Sequence, residues 1–179
     1  TLDIFGIIAC FIFVLYGLRL SGYLAYREFK NKSYNKNMKG EIKDGKNMTI
    51  GIKSMLWITC GLLYFMMCSP IIYRIINMAP TDTTFIIGLC IMVFGIILEA
   101  AADLQKNKAK KKNPNRFVDV GLYKIVRCPN YLGELIMWTG VIVAGCTALT
   151  GFWQWTISII GYLGIVYVMF SGARRLEIR

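Results

Sequence analysis

The sequence predicts an all-α, polytopic transmembrane helical bundle with about five spans, and three observations carry that expectation. Of the 179 residues, 56% are hydrophobic and only 17% are charged, where a soluble domain is nearer half apolar and a quarter charged. Mean hydropathy is +0.51. The apolar residues fall in five long runs, each near the roughly 20 residues that cross a bilayer core as helix. None shows the period-two alternation of a membrane-barrel strand.

The runs follow in order. The first, from about Ile4 to Tyr26, is interrupted by Arg19. The second, about Met55 to Ile76, holds Pro70 near its far end. The third runs from about Thr83 to Leu104, the fourth from Tyr131 to Leu149 and the fifth from Phe152 to Phe170. The connections alternate in charge. Arg27–Lys53 carries eight Lys/Arg, Pro70–Thr83 only Arg74, Asp103–Arg127 eight again, "TALTG" none, and the tail after Phe170 three. By the positive-inside rule the basic connections face the cytoplasm. The expectation is one transmembrane domain over 1–179, with cytoplasmic loops at 27–54 and 104–130, in a bacterial inner membrane. Trp153 and Trp155 begin the fifth run, where amphipathic rings favour the interface. The chain starts at Thr1 without methionine and stops at "RRLEIR", which reads as cut at both ends. No basic residues precede the first apolar run, so no cleavable signal peptide is expected.

The net charge of +11 reflects these loops rather than a nucleic-acid partner. There is no histidine and no CxxC pair, so no metal site is expected. The six cysteines, Cys10, Cys60, Cys68, Cys90, Cys128 and Cys146, read mostly as small buried hydrophobes. "AKKKNPN", Ala109 to Asn115, reads as a solvated basic loop near anionic lipid, with the asparagine before Pro114 pushed out of helical geometry.

Charged groups at membrane depth are expensive and tend to mark function. Three places qualify. Glu99, Asp103, Lys106 and Lys110 follow at i, i+4, i+7 and i+11 on one helical face. That acid-acid-base-base stripe suits a ligand with hydroxyl or amide donors deep and phosphates nearer water; an ordinary helix end with snorkelling lysines explains it equally. In "RCPNYLGE", Arg127 to Glu134, Pro129 starts a helix, whose free N–H groups and dipole form an anion site beside the planar Arg127 cation. A helix cap accounts for Pro129 and Asn130 but leaves Glu134 unexplained. Arg19 is flanked by Tyr16 and Tyr23, compatible with cation–π contact or with an arginine snorkelling to the interface. No GxGxxG or Walker motif occurs, so a nucleotide would bind inside the helical bundle.

"ADLQKNKAKK…GLYKIVRCPNYLGELIMWTG" resembles the DUF1295 branch of the steroid 5-alpha-reductase-like superfamily, with its ADLQK helix end, GLWR and R-H-P-N-Y-x-G-E. "LRLSGYLAYRE" is similar to the branch's upstream helix and "FSGARRLE" to the start of its last polar segment. The resemblance implies a polytopic reductase that binds NADPH from the cytoplasmic side and passes hydride to the β-carbon of an enone in a steroid-like or other lipid substrate. It implies cofactor-binding roles for Glu99, Asp103, Lys106, Lys110, Tyr123, Arg127, Asn130, Tyr131 and Glu134, and less securely for Arg27 and Arg175. Tyr16, in Y-x-x-R, is the implied catalytic residue, polarising the enone carbonyl as enolate charge develops. The acidic partner implied for it lies upstream of Thr1. Cys128 departs from the branch's histidine. The same R-H-P motif occurs in isoprenylcysteine carboxyl methyltransferases, where the histidine side helps bind S-adenosylmethionine. The loss therefore weakens the alternative of an S-adenosylmethionine-dependent lipid methyltransferase more than it weakens the reductase. A non-catalytic membrane protein is the third reading; the retained intramembrane acids argue against it. The sequence leaves the oligomeric state open.

Overall fold

The structure, a computed structural model, describes residues 3–30, 48–113, 116 and 118–178, with the side chains at 24, 27, 28, 30 and 175–178 excepted. Arg27 and Arg175 are therefore outside the described side chains. Five helices follow in order: α1 (Ile4–Lys30), α2 (Ile50–Ile76), α3 (Thr83–Lys112), α4 (Pro129–Gly145) and α5 (Phe152–Ile178). Short 3-10 turns lie at Gly121–Lys124 and Cys146–Ala148. All five helices are long and apolar enough to cross a membrane, and no strand occurs among the described residues. The chain is a polytopic all-α membrane bundle.

Local chemistry sets the helix ends. Asp82 accepts from the Phe85 N–H at 2.7 Å, and Asp3 accepts from the Gly6 N–H at 2.8 Å, so each caps the helix that follows it. α4 begins with Pro129 in its first turn, after Cys128 at φ −131° and ψ 69°, with no side-chain cap. The expected cap at Asn130 is therefore not the helix's starting device. α3 differs from expectation at its far end. It continues through the basic stretch to Lys112 instead of ending near Leu104. Ala, Gln and Lys are good helix formers, and nothing breaks the run until Asn113, extended at φ −138° and ψ 91° before a proline.

Packing rests on glycines. α3 and α4 form the most extensive helix pair. A Cβ at Gly95 would lie 2.4 Å from the Met137 N, and one at Gly133 would lie 2.6 Å from the Glu99 N. Backbones approach this closely only at small residues. Gly161 plays the same part between α5 and α2, against Met66, where Ser69 and Ser158 also share a buried hydrogen bond of 2.9 Å. The core is aliphatic and sulfur-rich, with Met92, Met137, Val141 and Ala144 fully enclosed. α1 joins by one narrow stripe, Ala9, Ile12 and Tyr16. The cysteines correct an expectation: Cys10, Cys60 and Cys90 are exposed on the bundle surface, where lipid is as apolar as a core.

The end of the bundle where α1 and α3 begin is tied by Arg74. This side chain is buried. It donates to the Ala144 carbonyl at 3.2 Å, to the Thr147 hydroxyl at 3.0 Å and to the Pro80 carbonyl. It also pairs with Asp82 at 3.4 Å and lies 4.3 Å over the Phe85 ring. Burial alone would raise the Asp82 pKa. Hydrogen bonds from Thr147 and the Phe85 N–H, with the Arg74 charge, outweigh it and hold the carboxyl below the usual carboxylate range. The sequence showed Arg74 only as a lone loop charge.

Candidate active site

The polar positions singled out on three separate helices converge at the opposite half of the bundle, toward the ends joined by basic connections. Glu99 lies about 24 Å along α3 from Thr83 at 1.5 Å per residue, within a hydrocarbon core of about 30 Å. Its close partner is Arg19 of α1. The guanidinium is 2.8 Å from Glu99 Oε1 and 2.7 Å from Asp103 Oδ2, so one cation spans two successive turns of α3. Arg19 thus pairs with carboxylates, and the cation–π arrangement expected with its flanking tyrosines is not what holds it. Tyr23 reaches Asn107 at 3.4 Å, one further turn along.

Glu134, the acid a cap could not explain, also has its partner on α1. The Tyr16 hydroxyl donates to Glu134 Oε1 at 3.1 Å, a buried bond between residues 118 apart in sequence. α4 can present Glu134 there because Gly133 lets its first turn press on the Glu99 backbone. Glu99, Asp103 and Glu134 are all buried; Arg19 pairs with the first two and acts on Glu134 through its charge.

Beside the Tyr16–Glu134 pair stands an aromatic wall that the sequence reading missed. Trp138 is one helical turn beyond Glu134, buried, and meets the Tyr16 ring edge-on at 5.7 Å. Phe13 lies 6.2 Å from it and Tyr64 6.1 Å. The i+4 spacing from Glu134 to Trp138, and the i+3 spacing from Phe13 to Tyr16, were the available signals. Tyr64, on α2, is 41% exposed, so the wall opens sideways. No neighbouring atom lies within 4 Å of a Cβ built at Gly17, Gly22, Gly51 or Gly61, which leaves α1 and α2 with open flanks here.

Four buried polar atoms have no hydrogen-bond partner among the described residues: Arg19 Nη1, Glu99 Oε2, the Tyr123 hydroxyl and Trp138 Nε1. Arg19 Nη1 still lies 2.8 Å from Glu99 Oε1 and Trp138 faces Glu134, which leaves Glu99 Oε2 and the Tyr123 hydroxyl. Tyr123 sits in the 3-10 turn, with Asp103, Cys128, Tyr23 and Tyr131 as electrostatic neighbours. Burial, reinforced by the Asp103 charge, pushes its pKa above the usual phenol value, so it stays a neutral donor. Buried polar atoms in native structures are nearly always paired, so the open Glu99 oxygen and Tyr123 hydroxyl are candidate contacts for a polar ligand.

The remaining expected residues are less gathered. Asn130 and Tyr131 are half-buried in the first turn of α4, and Lys106 is half-buried on α3. The Tyr131 ring lies against α5, where a Cβ at Gly172 would come within 3.2 Å of it. Lys110 donates to the Arg116 carbonyl at 3.0 Å, and Arg127 is exposed.

The sequence matches the DUF1295 family, described as a protein of unknown function, over residues 3–179. The chain belongs to the DUF1295 family. This DUF1295 protein is also 32% identical over 77 residues to the steroid 5-alpha-reductase DET2 of Arabidopsis thaliana. That match takes in 41% of this chain and 29% of the relative, so the chain spans well under two thirds of the relative it matches. No solved structure matches it. The DUF1295 chain is thus an integral membrane protein of a steroid 5-alpha-reductase-like family.

Proposed function

We propose that this DUF1295 protein is an NADPH-dependent membrane reductase of a C=C bond in an enone, acting on a steroid-like or other lipid substrate. The observation that carries the reading is the buried Tyr16–Glu134 hydrogen bond set between an aromatic wall and the Arg19-bridged acids. A flat apolar ligand would lie along Trp138, Phe13 and Tyr64 and direct its carbonyl at Tyr16. Rings stack and pack well on such surfaces. The distant likeness to a steroid 5-alpha-reductase supports the substrate class.

The open Glu99 carboxylate oxygen and the Tyr123 hydroxyl fit a dinucleotide's polar groups, which carry hydroxyl and amide donors and acceptors. Glu99, Asp103, Asn130, Tyr131 and Glu134 would hold it, with Lys106, Lys110 and Arg127 toward its phosphates. When bound, NADPH supplies a hydride to the β-carbon of the enone. Tyr16 then holds its hydroxyl proton against the developing enolate oxygen, where a positioned donor is worth most. For this the Tyr16 hydroxyl turns from Glu134 to that oxygen, and the enolate collapses to the ketone by taking one proton from water at the α-carbon, so that Tyr16 and Glu134 end as they began. Low water access at this depth keeps these bonds strong. By the positive-inside rule the basic connections support a cytoplasmic side for this chemistry, in keeping with a bacterial inner membrane.

The test is a titration of purified protein in detergent with NADPH and, separately, S-adenosylmethionine, following melting temperature, since a ligand preferring the folded state raises it. NADPH should raise it. Glu134→Gln should weaken that rise, while Tyr16→Phe should keep the rise and lose turnover of an enone by about 10²-fold or more. A rise with the methyl donor alone refutes the reductase.

A further inference from the structure

The basic end of α3, with Arg116 and Val118–Gly121, borders an open cavity of about 590 Å³, walled by Gln105, Lys108, Lys112, Arg116 and Val120. We propose that this cavity is a seat for the phosphate headgroup of an anionic phospholipid. Four observations carry it.

The cavity is apart from the candidate active site. Gln105, Lys108, Ala109 and Lys112 recur at i, i+3, i+4 and i+7 on one face of α3. That face lies about 140° around the helix from the Glu99–Asp103–Lys106–Lys110 stripe.

Its walls are fixed. Gln105 Oε1 accepts from the Leu122 N–H at 2.8 Å, and Lys110 donates to the Arg116 carbonyl at 3.0 Å. Gly121, at φ +61°, allows the turn between them; a Cβ there would lie 2.4 Å from Gln105 Oε1.

Its charge is one-sided. Lys108, Lys111, Lys112 and Arg116 line it with Asp119 as the only carboxylate among the lining residues, and Asp119 pairs with Arg116 at 2.9 Å.

Its height and rim suit a lipid. α3 is 30 residues long, about 45 Å, whereas the hydrocarbon core is about 30 Å thick and the bilayer with headgroups about 40–45 Å. The last turns of α3 therefore stand in the headgroup layer. Val120, which lines the cavity, is 50% exposed, and Ile125 and Val126, a few residues further on, are 82% and 37% exposed, an apolar edge for acyl chains. A free phosphate needs no such edge.

The experiment measures lipid retention by native mass spectrometry on protein in neutral detergent. Phosphatidylglycerol, phosphatidylcholine and inorganic phosphate are the probes, for wild type and for the combined K108Q, K111Q and K112Q variant. Wild type should retain phosphatidylglycerol about tenfold better than phosphatidylcholine, and the variant should bring the two near parity, given the attraction of each lysine to anionic headgroups. Ile125→Asn should weaken both lipids and keep the preference. The variant's rise in melting temperature with NADPH should match wild type, which also shows that it folds. The proposal is overturned if wild type shows no preference, or if the variant keeps it. It is equally overturned if inorganic phosphate at millimolar concentration displaces the lipid, or if NADPH does.

Discussion

Replacing Arg19 by alanine is the sharpest probe of the site. The substitution removes the cation that stands 2.8 Å from Glu99 and 2.7 Å from Asp103 and leaves two buried acids facing each other and Glu134. Removing one partner of a buried ion pair costs about 3–5 kcal/mol. The Arg19 side chain keeps 21% exposure, so the lower value, about 3 kcal/mol, is expected after allowing for solvent screening. For a chain of this size that is a fall in melting temperature of about 6–12 °C, read by tryptophan fluorescence in detergent. The decisive measurement is the rescue. Adding Glu99→Gln and Asp103→Asn to Arg19→Ala removes the uncompensated charges, and more than half of the lost stability should return. Residues in one charge network couple by about 0.5–3 kcal/mol. If Arg19→Ala costs less than about 1 kcal/mol, or if the three substitutions simply add, Arg19 is an interfacial side chain and the charge-pairing account is wrong.

Gly133→Ala should force α3 and α4 apart at Glu99, since its Cβ would lie 2.6 Å from the Glu99 N; overpacking of this kind costs about 1–3 kcal/mol. It should also abolish the rise in melting temperature with NADPH, whereas Gly161→Ala, equally crowded against Met66 but away from the site, should destabilise and keep that rise. At the other end of the bundle, the depressed Asp82 pKa gives stability that is present above the unfolded value of about 3.9. That stability is lost as pH falls through the lower folded value. Asp82→Asn should lower the melting temperature at pH 7 by a few degrees, about 1 kcal/mol for a partly exposed pair. It should also shrink the decline between pH 5 and pH 3; an undiminished decline would exclude Asp82 as its source.

The fold was legible because membrane helices announce themselves by length: each span needs about 20 apolar residues whatever its neighbours do. The Glu99–Asp103 face and the Glu134 position were legible for a related reason, since acids at that depth demand a partner. The partner's identity was not. Tyr16 and Glu134 are 118 residues apart, and local periodicity carries no information about which helix face a carboxyl meets. The same holds for Trp138 meeting Phe13 and Tyr64, and for Arg74, whose partners come from two separate chain segments. The end of α3 was misjudged because lysines read as solvated loop, while Lys and Ala equally favour helix.

The narrow attachment of α1 has a consequence for biosynthesis. α1 enters the membrane before α3 and α4 exist, so at that moment Arg19 and the hydroxyl of Tyr16 have no partners. An arginine about 22 Å into a helix, at 1.5 Å per residue, then extends its side chain to the interface. The glycine-seated α2–α5 core assembles as those helices arrive. Arg19 can be drawn inward once α3 brings Glu99 and Asp103 within reach, and Tyr16 meets Glu134 only when α4 follows. The order of synthesis thus closes the polar site in two steps, and a nascent chain stalled before α3 carries a helix whose charge is still waiting at the surface.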